Sequence, residues 1–261
     1  MSIFISLVSH NHAEMIMKTF FFQDLAAKYN VVLKNNAGQD SSVLNVYCKT
    51  NKIHLIDNNY GLGFGSNNNI NFKYCVDVLG MQDDDIFILI NPDVAINTKS
   101  IDDLTALINK YDTDVAGISL FKDEGFKNRD LSVRKYPTFI SFFSSLLGIK
   151  RECYFASFSA HEEAVDMEWV AGSFIAFKSS SYRKVQGFDE NYFMYCEDID
   201  ICYRAKSQGM KLLYFPQIKA VHTAQHNNRK IFSKHFLWHL TSALRFILSK
   251  HIRLSVNSSI K

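Results

Sequence analysis

Ile86-Phe87-Ile88-Leu89-Ile90-Asn91-Pro92-Asp93 is the stretch on which the reading of the fold turns. Five consecutive apolar residues are too few for a buried helix, and an unbroken rather than alternating run means that both faces of a strand meet protein. The run stops at a polar Asn-Pro-Asp turn. The same shape occurs three times upstream: Ile3-Phe4-Ile5-Ser6-Leu7-Val8 ends in Ser9-His10-Asn11-His12, Val31-Val32-Leu33 ends in Lys34-Asn35-Asn36-Ala37-Gly38, and Ile53 to Ile56 ends in Asp57-Asn58-Asn59-Tyr60-Gly61. A helix-like stretch, Glu14 to Tyr29, separates the first two. Short apolar runs alternating with longer amphipathic ones predict βαβ units, hence an α/β domain with a Rossmann-like, mostly parallel central sheet flanked by helices. Ligands bind beyond the carboxyl ends of such strands, so all four polar exits are expected on the binding edge.

Downstream, further strands are predicted over Val115 to Leu120, Trp169 to Phe177 and Lys211 to Phe215. Glu197 to Ser207 reads as a helix capped near Gly209, which puts Asp198 in the first turn, where the positive end of the helix dipole favours its ionised form. The chain has 261 residues, 47% of them hydrophobic, enough for one sizeable core. A formal charge of +3 is too mild for a nucleic-acid scaffold. Five cysteines without a Cys-x-x-Cys pair, and no signal-type N-terminus, fit a reducing cytoplasm. The longest apolar run, Tyr136 to Ile149, has 14 residues; crossing a bilayer takes about 20, so no transmembrane helix is expected.

The chemistry is sought in Gly187-Phe188-Asp189-Glu190-Asn191-Tyr192-Phe193-Met194-Tyr195-Cys196-Glu197-Asp198-Ile199-Asp200, where five carboxylates stand among aromatic side chains. Desolvated carboxylates acquire altered proton affinities and bind cations. Asp93, at the end of a buried strand, could hold a divalent cation of the magnesium type together with diphosphate oxygens, or simply form an Asx-Pro turn. Asp83-Asp84-Asp85 reads as a solvated strand entry. Gly61-Leu62-Gly63-Phe64-Gly65 follows the third predicted strand with Gly-x-Gly-x-Gly spacing, which argues against a dinucleotide loop. Its glycines suit close approach of backbone to a ligand, and Asn67, Asn68 and Asn69 could hydrogen-bond that ligand or cap the next helix. His222 and His226 lack the glutamate of a helical zinc site, so a single imidazole, His222, is the candidate metal ligand. At the C-terminus Phe232, Phe236, Leu240, Leu244 and Ile247 repeat at three or four residue intervals, with Lys234, Arg245, Ser249 and Arg253 on the other side. This is a basic amphipathic helix, suited either to packing on the domain or to lying in an anionic membrane interface.

In this order and spacing, Val8-Ser9-His10-Asn11, Gly61 to Asn69, Asn91-Pro92-Asp93, Ala171-Gly172-Ser173-Phe174, Gly187 to Asp200 and Ala220-Val221-His222 resemble the family 2 glycosyltransferases of A-type fold. Ser132-Val133-Arg134-Lys135-Tyr136-Pro137 and His226-Asn227-Asn228-Arg229 resemble their bacterial rhamnosyltransferase branch, which builds O-antigen of lipopolysaccharide and related polysaccharides. The resemblance implies an inverting transfer of L-rhamnose from dTDP-L-rhamnose to a polyprenyl-diphosphate-linked N-acetylglucosamine, on a single catalytic domain over residues 1–228. Residues 1–100 would bind the nucleotide sugar and 101–228 the acceptor, followed by the helical segment 229–261 at the inner face of the bacterial inner membrane. It implies Asp198 as base, assisted by Glu197 and Asp200, and Mg²⁺ or Mn²⁺ on Asp93 and His222. The nucleotide sugar would meet Ser9, Asn11, Asn35, Asn36, Gly63, Asn67, Asn68, Asn91, Asp93, Trp169 and Gly172. Asn35-Asn36 departs from the family's usual Asp-Asn, which removes a charge from base recognition. A glycoside hydrolase would also use two carboxylates but no metal–diphosphate site; a non-catalytic sugar-nucleotide-binding subunit is the third class.

Overall fold

A computed structural model describes residues 1–137, 162–223, 234–250, 252 and 254–260. In the first half, β1 (Ile3–Ser9) is followed by α1 (Ala13–Lys18), α2 (Phe21–Lys28), β2 (Asn30–Asn35), α3 (Ser41–Thr50), β3 (His54–Ile56), α4 (Phe64–Asp77) and β4 (Ile86–Ile90). The four strands are parallel and ordered β3-β2-β1-β4, so their polar exits share one edge, as expected. Every residue of β4 is buried, as its unbroken apolar run requires.

β5 (Val94–Ala95) and α5 (Thr98–Tyr111) lead into the mixed half: β6 (Val115–Phe121), β7 (Arg129–Asp130), β8 (Val133–Arg134), β9 (Val165–Asp166), β10 (Trp169–Val170), β11 (Phe174–Lys178), α6 (Ser179–Lys184), α7 (Glu197–Ser207), β12 (Leu212–His222) and α8 (Lys234–Ser249). β11 lies antiparallel to both β4 and β6, β12 runs parallel to β6, and β5 pairs antiparallel with the end of β12. Two apolar clusters fill the two faces of the sheet, one around Phe72, Phe87, Tyr182 and Phe188, the other around Leu7, Leu33, Ile88 and Phe174.

Four local expectations are corrected. The helix over Glu14 to Tyr29 is two helices, because Thr19 leaves the helical region and turns its hydroxyl back onto the carbonyls of Met15 and Ile16. The strand over Trp169 to Phe177 is also two, since Ala171-Gly172-Ser173 forms a turn in which Phe174 N–H donates to the Ala171 carbonyl; β10 then pairs with β8 while β11 joins the main sheet. β12 runs on to His222 across a register shift between Phe215 and Lys219, where Pro216 cannot donate to the ladder. Asp85 is buried rather than solvated and accepts the N–H groups of Ser2 and Gln82 at 2.5 and 2.8 Å.

α8 packs on the body of the domain through Ala243, Phe246 and Ile247. Burying Phe246 and Ile247 stabilises by about 1.5–3 kcal/mol each. The expected basic outer face is corrected as well. Arg245 reaches inward to Asp189 at 2.7 Å, and Lys250 lies 5.0 Å from the Phe246 ring centre and 5.2 Å from that of Tyr136. The outward stripe is apolar instead: Leu237, Leu244 and Leu248 are exposed. Lys230, Phe232 and Arg253 lie outside the described residues, as do Cys153, His226 to Arg229 and most of the apolar run from Tyr136 to Ile149. Among the described residues, no helix is long and apolar enough to cross a membrane. The four described cysteines are free and buried.

Candidate active site

The turn after β4 carries Asp93 away from the core, closed by the Val94 N–H donating to the Asn91 carbonyl at 3.0 Å. β5 then pairs with β12 so that Val94 stands opposite His222, and the Thr223 N–H donates to the Asp93 carbonyl. This ladder brings the His222 Nε2 within 3.4 Å of Asp93 Oδ2. The other ring nitrogen, Nδ1, lies 2.6 Å from Asp130 Oδ2 on β7. Burial alone would lower the proton affinity of His222, but hydrogen bonds and charge from Asp130 and Asp93 outweigh it and push the pKa up to about 9. Without a cation, the imidazolium bridges the two carboxylates at neutral pH.

The donor set suits a divalent cation. Once His222 loses its proton, Asp130 holds Nδ1–H and leaves Nε2 as a lone pair beside a carboxylate oxygen, the arrangement that orients histidine ligands in metal sites. One carboxylate and one imidazole provide two ligands. Among the described residues, no group of three His, Cys, Asp or Glu side chains could hold a metal, so a cation on Asp93 and His222 would need further oxygen ligands from diphosphate and water, as hard cations prefer. Asp130 was not found in the sequence reading: nothing in Asn128-Arg129-Asp130 marks it, and only the pairing of β7 with β6 brings it to His222.

Asp198 opens α7, and the backbone before it is strained. Tyr195 and Cys196 are consecutive non-glycine residues with φ of 71° and 63°, each costing about 1–2 kcal/mol in the left-handed region. α8 holds this turn: Ser242 donates to the Met194 carbonyl at 2.9 Å, Tyr195 Oη lies 3.1 Å from His235 Nδ1, and the Tyr195 and His239 rings are 5.3 Å apart. His235 and His239 of α8 therefore brace the site. Asp198 Oδ2 accepts the Gly172 N–H at 3.0 Å and Oδ1 the Ile199 N–H at 2.8 Å. Burial raises its proton affinity despite these donors and the charge of Arg134. Desolvation thus acts against the helix end and makes Asp198 a better proton acceptor than the dipole alone would leave it. The turn from Ala171 to Ser173 joins the two halves of the site, since Gly172 meets Asp198 and the Ser173 carbonyl accepts the Asn91 N–H at 3.0 Å.

The other acidic candidates are committed elsewhere. Asp200 is buried and paired with Arg204 at 2.7 Å, and Arg204 also donates to the carbonyls of Val185 and Gly187. This is a staple for α7, not a ligand contact. Asp189 holds Arg245 and the Asn257 N–H, and Glu190 accepts the Ser259 N–H, which ties residues 254–260 to the loop before α7. Glu197 is buried with Oε2 lacking a partner among the described residues. Burial first, then the charge of Asp198, raises its proton affinity.

Most of the expected nucleotide contacts make hydrogen bonds within the protein, although the buried Asn67 Oδ1 has no partner among the described residues. Ser9 accepts the His12 N–H through Oγ and the Asn36 N–H through its carbonyl. Asn36 exchanges two hydrogen bonds with the Leu62 backbone. Asn67 donates to the Leu62 and Gly63 carbonyls, and Asn68 ties Ser6 to Phe64. Trp169 donates to the Lys135 carbonyl, and Gly172 serves Asp198. The close approach at Gly63 is to protein rather than ligand: a Cβ there would lie 2.4 Å from the Phe193 carbonyl oxygen. Asn11 is exposed, with φ of 60°, at the tip of β1, and Asn91 is half-buried. Asn35 is buried, its amide donating to Asp57 Oδ1 at 2.8 Å and to Ser41, its oxygen accepting the Ala37 N–H. Asp57 was also missed in the sequence. Its Oδ1 takes Asn35, Ser41 and Tyr60, which outweigh burial and hold the carboxyl below the ordinary range. The charge absent at Asn35 therefore stands on the neighbouring strand exit.

A family described as the N-terminal domain of galactosyltransferase matches residues 154–227. The rhamnosyltransferase WbbL of Escherichia coli K12 is 37% identical over 96% of this chain and 94% of its own length. An N-acetylglucosaminyl-diphospho-decaprenol L-rhamnosyltransferase of Mycobacterium tuberculosis is 25% identical over 85% of this chain and 75% of its own length. Among solved structures, GalNAc-T7 with UDP, GalNAc and Mn²⁺ superposes with a TM-score of 0.64 at 14% identity, over 95% of this chain and 47% of that one. The fold, the order of the strand exits and the similarity along the whole chain agree: this chain is a glycosyltransferase of family 2 with the A-type fold, in the bacterial rhamnosyltransferase branch.

Proposed function

We propose that the protein is an inverting, divalent-cation-dependent rhamnosyltransferase that moves L-rhamnose from dTDP-L-rhamnose to a polyprenyl-diphosphate-linked N-acetylglucosamine, in O-antigen or related polysaccharide synthesis. The observation that carries this reading is the Ala171 to Ser173 turn, bonded to Asp198 on one side and to the Asn91-Pro92-Asp93 turn on the other. Asp198 takes the proton of the acceptor hydroxyl as its oxygen bonds to the anomeric carbon. The bond from that carbon to the diphosphate oxygen breaks on the opposite face, and its electron pair leaves with dTDP. Asp93 and His222 would hold Mg²⁺ or Mn²⁺, which when bound neutralises charge developing on the leaving diphosphate. Asp130 keeps His222 oriented, and burial that favours the neutral form of Glu197 limits the negative charge beside Asp198.

Residues 1–100 form the donor half and 101–228 the acceptor half, and from the segment 229–261 α8 braces the turn before α7. The exposed stripe of Leu237, Leu244 and Leu248 suits the cytoplasmic membrane surface, where a lipid-linked acceptor resides. Buried Asn35 favours a second reading within the same chemistry, a different pyrimidine nucleotide sugar. The test is product formation from dTDP-rhamnose and lipid-linked N-acetylglucosamine with Mg²⁺ or Mn²⁺, alongside a screen of other nucleotide sugars. Asp198→Asn should abolish turnover while sparing dTDP affinity. Near-normal turnover of that variant refutes the base, and turnover with another donor alone refutes rhamnose.

A further inference from the structure

We propose that Arg134 is a diphosphate-binding residue of this site, clamped by Trp169 beside the transfer centre; the proposal rests on the glycosyl-transfer reading above. The residue stands on β8, whose pairing with β10 sets Arg134 opposite Trp169. Buried Val133, Trp169 and Val170 root this small sheet. Trp169 is fixed by its Nε1–H on the Lys135 carbonyl at 2.9 Å, and the Arg134 guanidinium carbon lies 5.7 Å from its ring centre. Arg134 Nε donates to the Leu131 carbonyl at 2.6 Å. The ring contact and one backbone bond from Nε therefore hold the guanidinium of this exposed residue in place and leave its two terminal amino groups for a ligand.

The contrast with other arginines is informative. Arg204 and Arg245 are spent on Asp200 and Asp189, and Arg183 on Asp83. Among the described residues, Arg134 forms no ion pair, yet its charge bears on the carboxyls of both Asp198 and Asp130. The geometry agrees: the Ala171 N–H donates to the Ser132 carbonyl at 2.7 Å, so the segment from Asp130 to Arg134 runs beside the turn whose Gly172 holds Asp198. Asp93, Asp130 and Asp198 would repel any polyanion entering the cleft, and a stacked guanidinium offsets that field while its fork matches two phosphate oxygens. The reaction offers two ligands of this chemistry, the donor diphosphate and the acceptor diphosphate.

The experiment uses the full chain, with Arg134→Met and Arg134→Lys checked for unchanged thermal unfolding. dTDP binding with Mn²⁺ is measured by calorimetry. Turnover of dTDP-rhamnose is measured on a prenyl-diphosphate N-acetylglucosamine and on an alkyl N-acetylglucosaminide without phosphate. A charge-assisted pair is worth about 1.5–3 kcal/mol, roughly 10–100-fold. If the donor is the ligand, Arg134→Met weakens dTDP by about that factor. If the acceptor is, dTDP affinity holds and KM rises at least about tenfold more on the diphosphate acceptor than on the alkyl glycoside. Arg134→Lys should recover only part of the loss, because a point charge lacks the fork. Unchanged dTDP affinity with equal effects on both acceptors overturns the proposal. Should the unmodified protein transfer to neither acceptor, the glycosyl-transfer reading fails by itself, and dTDP binding alone then decides for or against Arg134.

Discussion

Replacing Asp200 by asparagine removes one charge from a buried ion pair while leaving its shape in place. In the folded protein burial raises the proton affinity of Asp200 more than Arg204 lowers it, so the carboxylate gains little from its partner. The cost of the substitution lies with Arg204, whose guanidinium would stay largely buried with only neutral acceptors: the new amide and the carbonyls of Val185 and Gly187. Removing one member of a buried pair costs about 3–5 kcal/mol; with two carbonyls still in place, the lower end, about 3 kcal/mol, is expected. For a chain of this size that is a fall in Tm of roughly 6–12 °C. Turnover at 25 °C, below both transitions, should stay within about threefold of the parent, because Asp200 staples α7 rather than touching substrate. The control is Asp200→Leu with Arg204→Met, which leaves no lone charge and should cost less than the sum of the single changes. Thermal unfolding by circular dichroism, run beside the transfer assay, reads all of this. An unchanged Tm with turnover down a hundredfold would refute the reasoning and return Asp200 to the chemistry.

Asp93→Ala should weaken dTDP binding in the presence of Mn²⁺ by about 10–100-fold, with little effect in its absence; calorimetry showing unaltered metal dependence would count against Asp93 as a ligand. His222 has a raised pKa in the folded, cation-free state, so the stability it confers is fully present below pH 6.5 and is lost as pH rises through about 9. Urea unfolding in chelator at pH 6 and pH 9.5 should show a loss of roughly 3 kcal/mol that His222→Gln flattens; an equal slope in that variant would dismiss the imidazolium bridge. Changing Leu237, Leu244 and Leu248 together to glutamine should lower affinity for phosphatidylglycerol vesicles about tenfold or more, with little change in stability because all three are exposed. Equal cosedimentation of both proteins would exclude the stripe as a membrane contact.

The elements whose cause is local were legible. Each of the first four strands announces itself by an apolar run closed by polar residues, and α7 spans Glu197–Ser207 as its pattern predicts, with Gly209 at φ 75° behind it. The positions of Asp93 and Asp198 were likewise legible, one at a strand exit and one in a first helical turn. What failed was the assignment of polar partners. Asn35, Asn36, Asn67 and Asn68 read as ligand contacts because they are polar and stand at the binding edge, yet the fold buries all four. Basic side chains of α8 read as an outer face, yet Arg245 turns inward because Asp189 waits there.

The amino-acid sequence by itself determined the α/β class, the shared edge of the parallel strands, and the positions of Asp93 at a strand exit and Asp198 in a first helical turn. These depend on hydrophobic runs and helix ends that span about ten residues. Only the tertiary structure decided that His222 stands between Asp93 and Asp130, a partner 92 residues away, that Asp57 lies behind Asn35, and that α8 braces the strained turn before Asp198. The reason is physical: a local pattern says which face of an element shuns water, whereas the partner of a buried polar group is set by whichever distant element the sheet brings within hydrogen-bonding reach.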